Sequence, residues 1–151
     1  MGREQNGASM ETPGIAGLHH IQFPVSDLDA SIAWFERVLG ACYQPEFDHH
    51  DAHNARYAVI LDVPGLPFPV QLRLSRDMAE AMAGYEPVTF GAADRAHLDE
   101  WAAHLDACGV RHSSVRRARI GETIDFASPD GARLRFYTLP VGGYENAEFR
   151  Q

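Results

Sequence analysis

Leu18-His19-His20-Ile21-Gln22-Phe23-Pro24-Val25-Ser26-Asp27-Leu28-Asp29-Ala30-Ser31-Ile32-Ala33-Trp34-Phe35 changes its period halfway along. As far as Val25 the residues alternate, with Ile21, Phe23 and Val25 on one face of an extended strand and His20 and Gln22 on the other. From Asp27 the spacing becomes helical: Leu28, Ile32, Phe35, Val38 and Leu39 form one apolar stripe. Asp27 is placed to cap that helix and Gly40 to stop it.

Working outward, the chain reads as a strand at 41–47, a polar loop at 48–55, a strand at 56–63, and a short strand at 70–74 after the Pro64-Gly65 turn. A linker at 77–85 follows, and then the order recurs. Val88 and Phe90 mark a strand. Asp94 opens a helix carrying Leu98, Trp101, Ala102 and Leu105, and Gly109 closes it. Strands are expected at 110–115, 121–126 and 133–137, the last after the Pro129-Asp130-Gly131 turn. Asp27 and Asp94 are 67 residues apart, Gly40 and Gly109 are 69 apart, and the two proline turns are 65 apart. The organisation is therefore an internal repeat. One copy cannot close a core alone, so two must share one. The expected fold is α+β: two βαβββ modules forming a curled mixed β-sheet cleft with the helices on the outside. The expected boundaries are an N-terminal arm at 1–14, a single domain at 15–140 (modules 15–76 and 85–140), and a tail at 141–151.

The chain has 151 residues, a length for one domain. Its net charge of -8 argues against nucleic acid and anionic membranes, which require a positive field. All 13 basic residues are arginine, so lysine chemistry is excluded and any anion must be met by Arg, His or backbone N–H. The two cysteines, Cys42 and Cys108, make no framework; both read as buried thiols of a reduced, cytoplasmic protein. No stretch is long and apolar enough to span a membrane.

The strand alternation separates two sets of side chains. Ile21, Phe23, Leu72, Leu74, Val88, Phe90, Leu134 and Phe136 are expected under the helices. His20, Gln22, Gln71, Arg73, Thr89, Arg133, Arg135 and Tyr137 take the opposite faces. If those faces line a cleft, the cleft is polar and locally cationic, suited to a carboxylate, phosphate or enolate. Tyr43 and Tyr57 are candidate pocket walls, and Trp34 and Trp101 read as packing residues.

Gly17 to Phe35 with Leu39-Gly40, and Ser128-Pro129-Asp130-Gly131-Ala132-Arg133-Leu134-Arg135-Phe136, resemble the opening and closing segments of the vicinal oxygen chelate superfamily. That group holds glyoxalase I, extradiol dioxygenases, fosfomycin-resistance thiol transferases and bleomycin-binding proteins. The resemblance implies paired βαβββ modules and a homodimer. It also implies four metal-ligand positions, which fall on His20, Gln71, Pro87 and Arg135. Proline has no ligand atom and arginine carries a fixed positive charge, so the inherited metal site is expected to be absent. No cofactor is expected. Relocated ligands would have to come from Glu86, or from His49, His50, Asp51 and His53. A slip that turned Glu86 inward would expose Val88 and Phe90.

Three functions stay open at this point. The first is a metal-independent binding protein for an oxygenated anionic or aromatic small molecule. The second is a lyase or isomerase with His20 as general base and Arg73 or Arg135 as clamp. The third is a divalent-metal lyase or dioxygenase with moved ligands. No phosphate-binding glycine loop and no serine-nucleophile signature is present.

Overall fold

The computed structural model of the chain describes residues 11–142 and Tyr144, so most of the expected arm and tail lies outside the described residues. The first half runs β1 (Ile21–Val25), α1 (Leu28–Leu39), β2 (Cys42–Tyr43), β3 (His49–His50), β4 (Arg56–Asp62) and β5 (Val70–Leu74). A short helix, α2 (Arg76–Met82), leads to β6 (Thr89–Ala92), α3 (Arg95–Ala107), β7 (Arg116–Arg117), β8 (Glu122–Ala127) and β9 (Arg133–Thr138).

The repeat is carried into the topology. One sheet has the order β1-β5-β4-β2, with β3 also on β4; the other has β6-β9-β8-β7. In each half the opening strand lies parallel to the closing strand, which is antiparallel to the one before it. The helix starts are the same device used twice. The Asp27 carboxylate accepts from the Ala30 N–H at 2.9 Å, and Asp94 accepts from His97 N–H at 2.8 Å. Gly40 ends α1 at φ 69°, the left-handed region where a side chain is disfavoured.

The sheets do not curl into a shared cleft, and here the sequence-based expectation is corrected. No strand of one sheet pairs with a strand of the other. What joins the halves is their apolar sides. Phe23 of β1 meets Phe35 of α1 at 5.6 Å, and the neighbouring Trp34 stacks on Phe126 of β8 at 6.3 Å. Trp101 of α3 stacks on Phe136 of β9 at 4.2 Å. These rings belong to one continuous core that includes Leu72, Phe90, Leu98 and Leu134. Each fully buried apolar side chain contributes about 1.5–3 kcal/mol, so burial in this shared core holds the two halves together.

Smaller differences have local causes. The expected strand at 41–47 shortens to two residues because Pro45 starts a 3₁₀ turn. The linker forms α2, with the Ser75 hydroxyl accepting from Met78 N–H. Of the strand expected at 110–115 only a bridge between His112 and Phe126 remains. Leu74 ends β5 where the chain turns into α2, and it is exposed rather than covered. Cys42 is exposed because it is the register partner of Asp62 and shares that residue's outward face; Cys108 is half-buried. Among the described residues no helix is long and apolar enough to cross a membrane.

Candidate functional site

The polar residues singled out by alternation fall into two groups. On the first sheet Gln22 and Gln71 are register partners, so their side chains share a face. Gln71 lies on the inner strand β5 and is buried, whereas Gln22 on the edge strand is exposed. His20 directly precedes β1 and is exposed; its Nδ1 lies 2.9 Å from Nδ1 of His19, so one ring donates and the other accepts. Arg73, also exposed, places its guanidinium 5.3 Å from the centre of the Tyr57 ring.

On the second sheet Thr89 pairs with Arg135, Gly91 with Tyr137, and Arg135 also with Asp125 of β8. Arg135 donates from Nε to Asp125 Oδ1 at 2.6 Å and from Nη2 to Oδ2 at 3.1 Å. Glu86 approaches the same nitrogen, with Oε1 3.2 Å from Nε. That oxygen is buried and accepts no hydrogen bond, because the single Nε proton points to Asp125. The other Glu86 oxygen accepts from the Thr89 hydroxyl at 2.8 Å. The hydrogen bond from Arg135 holds the Asp125 carboxyl below its ordinary pKa against the opposing effect of burial, with Arg133 and Arg116 adding to the pull. Tyr137 is occupied too, its hydroxyl accepting from Ile120 N–H at 3.0 Å.

Gln22, Gln71 and Arg73 are thus brought onto one sheet, and Thr89, Arg133, Arg135 and Tyr137 onto the other. The contacts of His20 and Arg135 do not overlap: His20 meets His19, whereas Arg135 meets Asp125 and Glu86. Tyr43 donates its hydroxyl to Asp48 and accepts from Arg56 at 2.9 Å, which makes it part of a local network rather than an open wall.

The four positions implied for a metal do not fit one. Pro87 supplies no donor atom, and Arg135 is a cation already ion-paired with two carboxylates. His49 Nδ1 bonds the Phe47 carbonyl at 2.9 Å. Among the described residues no group of three or more His, Cys, Asp or Glu side chains converges as a ligand set.

One functional candidate, Asp125, escaped the sequence reading, and another, Glu86, was reached by the wrong route. Asp125 was legible in principle, since β8 alternates Thr123, Asp125 and Ala127 against the buried Ile124 and Phe126. Glu86 was considered only through a register slip. No slip occurs, and Phe90 stays buried; Glu86 reaches Arg135 from the loop before β6, where strand alternation does not apply. Two adjoining pockets, of about 340 and 540 Å³, also lie beside α3, the larger lobe lined by Leu39, Val63, Phe90, Trp101, Phe136 and Leu139. His97 lines both lobes; its Nδ1 accepts from Ala93 N–H at 2.9 Å, leaving Nε2–H as a donor in the neutral ring.

Comparison with known proteins adds four findings. The sequence pattern of the Glyoxalase/Bleomycin resistance protein/Dioxygenase superfamily matches residues 17–136. The metallothiol transferase FosB of Bacillus licheniformis is 27% identical over 134 residues, covering 87% of this chain and 81% of its own. Among solved structures, TnmS3, an antibiotic binding protein from Streptomyces sp. CB03234, superposes with a TM-score of 0.65 at 18% identity, over 82% of this chain and 96% of its own. The fosfomycin resistance protein FosX of Listeria monocytogenes, solved with Mn(II) and a dihydroxypropylphosphonic acid, gives 0.63 at 18% identity, over 82% and 90%. At such identities the two structures speak for the fold.

Proposed function

This chain belongs to the Glyoxalase/Bleomycin resistance protein/Dioxygenase superfamily, and we propose that it binds a small oxygenated organic molecule, anionic or aromatic, without a metal ion. The observation that carries the reading is Arg135: a position implied for a metal-binding glutamate holds a guanidinium locked to Asp125. The similar proteins include an antibiotic binding protein as well as a metallothiol transferase, and a guanidinium at position 135 supports a binding role of the former kind. Gln22 and Gln71 supply amide donors and acceptors, Arg73 and Arg133 exposed cations, and Thr89 and Tyr137 hydroxyls.

The two sheets of one chain do not curl into a shared cleft, so a ligand enclosed between two sheets would draw one of them from a second copy. We infer a homodimer in which the first sheet of one protomer faces the second sheet of its partner. Such a pair would also bring His20 towards Arg135, the arrangement a lyase or isomerase would need. Protein purified without chelator is the material for the test. Native mass spectrometry is expected to show a dimer carrying an organic ligand that survives EDTA and is released chemically unchanged. Ligand loss on EDTA treatment overturns metal independence. Conversion of a bound compound that disappears in His20→Ala would move the reading to an enzyme.

A second reading seats an aromatic ligand in the cavity beside Trp101 and Phe136, and the volume there favours it. Leu66 also lines that space, and Leu66→Trp would fill it and abolish binding, while Arg73→Ala and Arg133→Ala would leave binding intact.

A further inference from the structure

We propose that the Arg135 guanidinium stands in the place of a divalent cation on the second sheet, and that its removal converts this face into a cation-binding one. The inference rests on the metal-independent reading above and goes beyond it by naming the group that keeps the metal out.

One nitrogen, Arg135 Nε, is contacted by carboxylate oxygens from two separate elements, Asp125 Oδ1 at 2.6 Å from β8 and Glu86 Oε1 at 3.2 Å from the loop before β6. Glu86 Oε1 is buried and takes no hydrogen bond, so only the adjacent positive charge compensates its desolvation. Nothing in that contact uses the directional character of an arginine fork; a charge-bearing sphere at the same point would serve it equally. Asp125 does use the fork, through Nε and Nη2. The Thr89 hydroxyl, cross-strand from Arg135, holds the other Glu86 oxygen and fixes the direction of that carboxylate. Both carboxylates approach one atom, so a hard cation taking that atom's place would have an oxygen of each carboxylate beside it. Oxygen ligands of this type suit Mg(II), Ca(II) or Mn(II) rather than the softer metals.

The arrangement answers a physical difficulty. Two partly buried carboxylates on one face repel each other unless a positive charge sits between them. A divalent ion would satisfy them at the cost of depending on metal supply. A covalently tethered guanidinium satisfies them permanently, and it leaves Nη1 outside both contacts, with two N–H donors for an oxygen of a bound molecule.

The test uses full-length protein and Mn(II) alone, followed by electron paramagnetic resonance and by thermal unfolding. Wild type is expected to show no saturable Mn(II) binding. Arg135→Gln is expected to bind Mn(II) at least tenfold more tightly than wild type, and Arg135→Gln with Glu86→Gln to lose that gain. If Arg135→Gln is unfolded on its own, Mn(II) should restore its cooperative unfolding transition, because a ligand that binds only the folded state stabilises it. Wild type binding Mn(II) as tightly as the variant overturns the proposal. So does an Arg135→Gln protein that neither binds Mn(II) nor is rescued by it. Failure of the metal-independent reading is distinguishable, because it is read on ligand retention in wild type after EDTA.

Discussion

The two halves share one plan and spend it differently. α1 buries six residues, Leu28, Ser31, Ile32, Phe35, Val38 and Leu39, whereas α3 buries only Leu98 and Leu105 and relies on the half-buried Trp101. The polar faces diverge further. The first sheet presents amides and an arginine resting on an aromatic ring; the second presents a guanidinium between two carboxylates. The helix-side pattern had to stay similar in both copies because one core depends on it. The outward faces carried no such constraint, so chemistry could accumulate on one without disturbing the other.

The largest test of that asymmetry is in the core. Phe35→Ala should destabilise by about 3–5 kcal/mol and Leu105→Ala, at a fully buried position of α3, by about 2–4 kcal/mol, measured by urea unfolding. Equal losses would mean that the halves are supported alike. Next comes the charged face. Asp125→Asn should cost about 1–2 kcal/mol at neutral pH, reduced from the buried-pair value because Arg135 and its partner retain some solvent contact. The Asp125 pKa is lowered on folding, so its contribution is present above the unfolded value near ~4 and lost as pH falls through the lower folded value. Asp125→Asn should therefore flatten the acid limb of the stability curve below about pH 4, whereas Gln71→Leu on the other sheet should leave it unchanged.

The caps test what the halves have in common. Asp27→Ala and Asp94→Ala should each cost about 1 kcal/mol, and a gap wider than about 1 kcal/mol between them would break the equivalence. The smallest effect belongs to a device found only in the second half. Burial works against the charged form of His112, but its contacts with the Ser113 carbonyl at 2.7 Å and with Asp106 at 2.8 Å prevail, and the net pKa is raised. Its stabilisation is present below the unfolded value near ~6.5 and lost as pH rises through the folded one. With Asp106 mostly exposed, the change is about a few tenths of a kcal/mol, visible as a small drop in Tm above neutrality that His112→Gln removes.

Much of this was legible from the chain alone. Both helix starts, Gly40, β5 and the buried identity of Phe23, Leu72, Phe90, Leu134 and Phe136 follow from period and capping, which are local properties. The mutual placement of the sheets was not, because alternation says which face is apolar and nothing about which faces meet. The Trp34–Phe126 contact decides that, and it joins residues far apart in sequence. Glu86 was reached only through a register slip for a related reason: it acts from a loop, where no periodicity constrains a side chain.

The two tryptophans follow from the same packing and have a practical use. Trp34 stacks across the halves on Phe126, whereas Trp101 stacks on Phe136 of its own half and faces Leu39 and Val63 of the other across a pocket. Trp101→Phe would therefore leave an emission signal that reports the Trp34–Phe126 contact, and Trp34→Phe one that reports the packing of α3 on the second sheet beside that pocket. Comparing their denaturation curves would read out whether the two contacts are lost together or in sequence, with no dye or label attached.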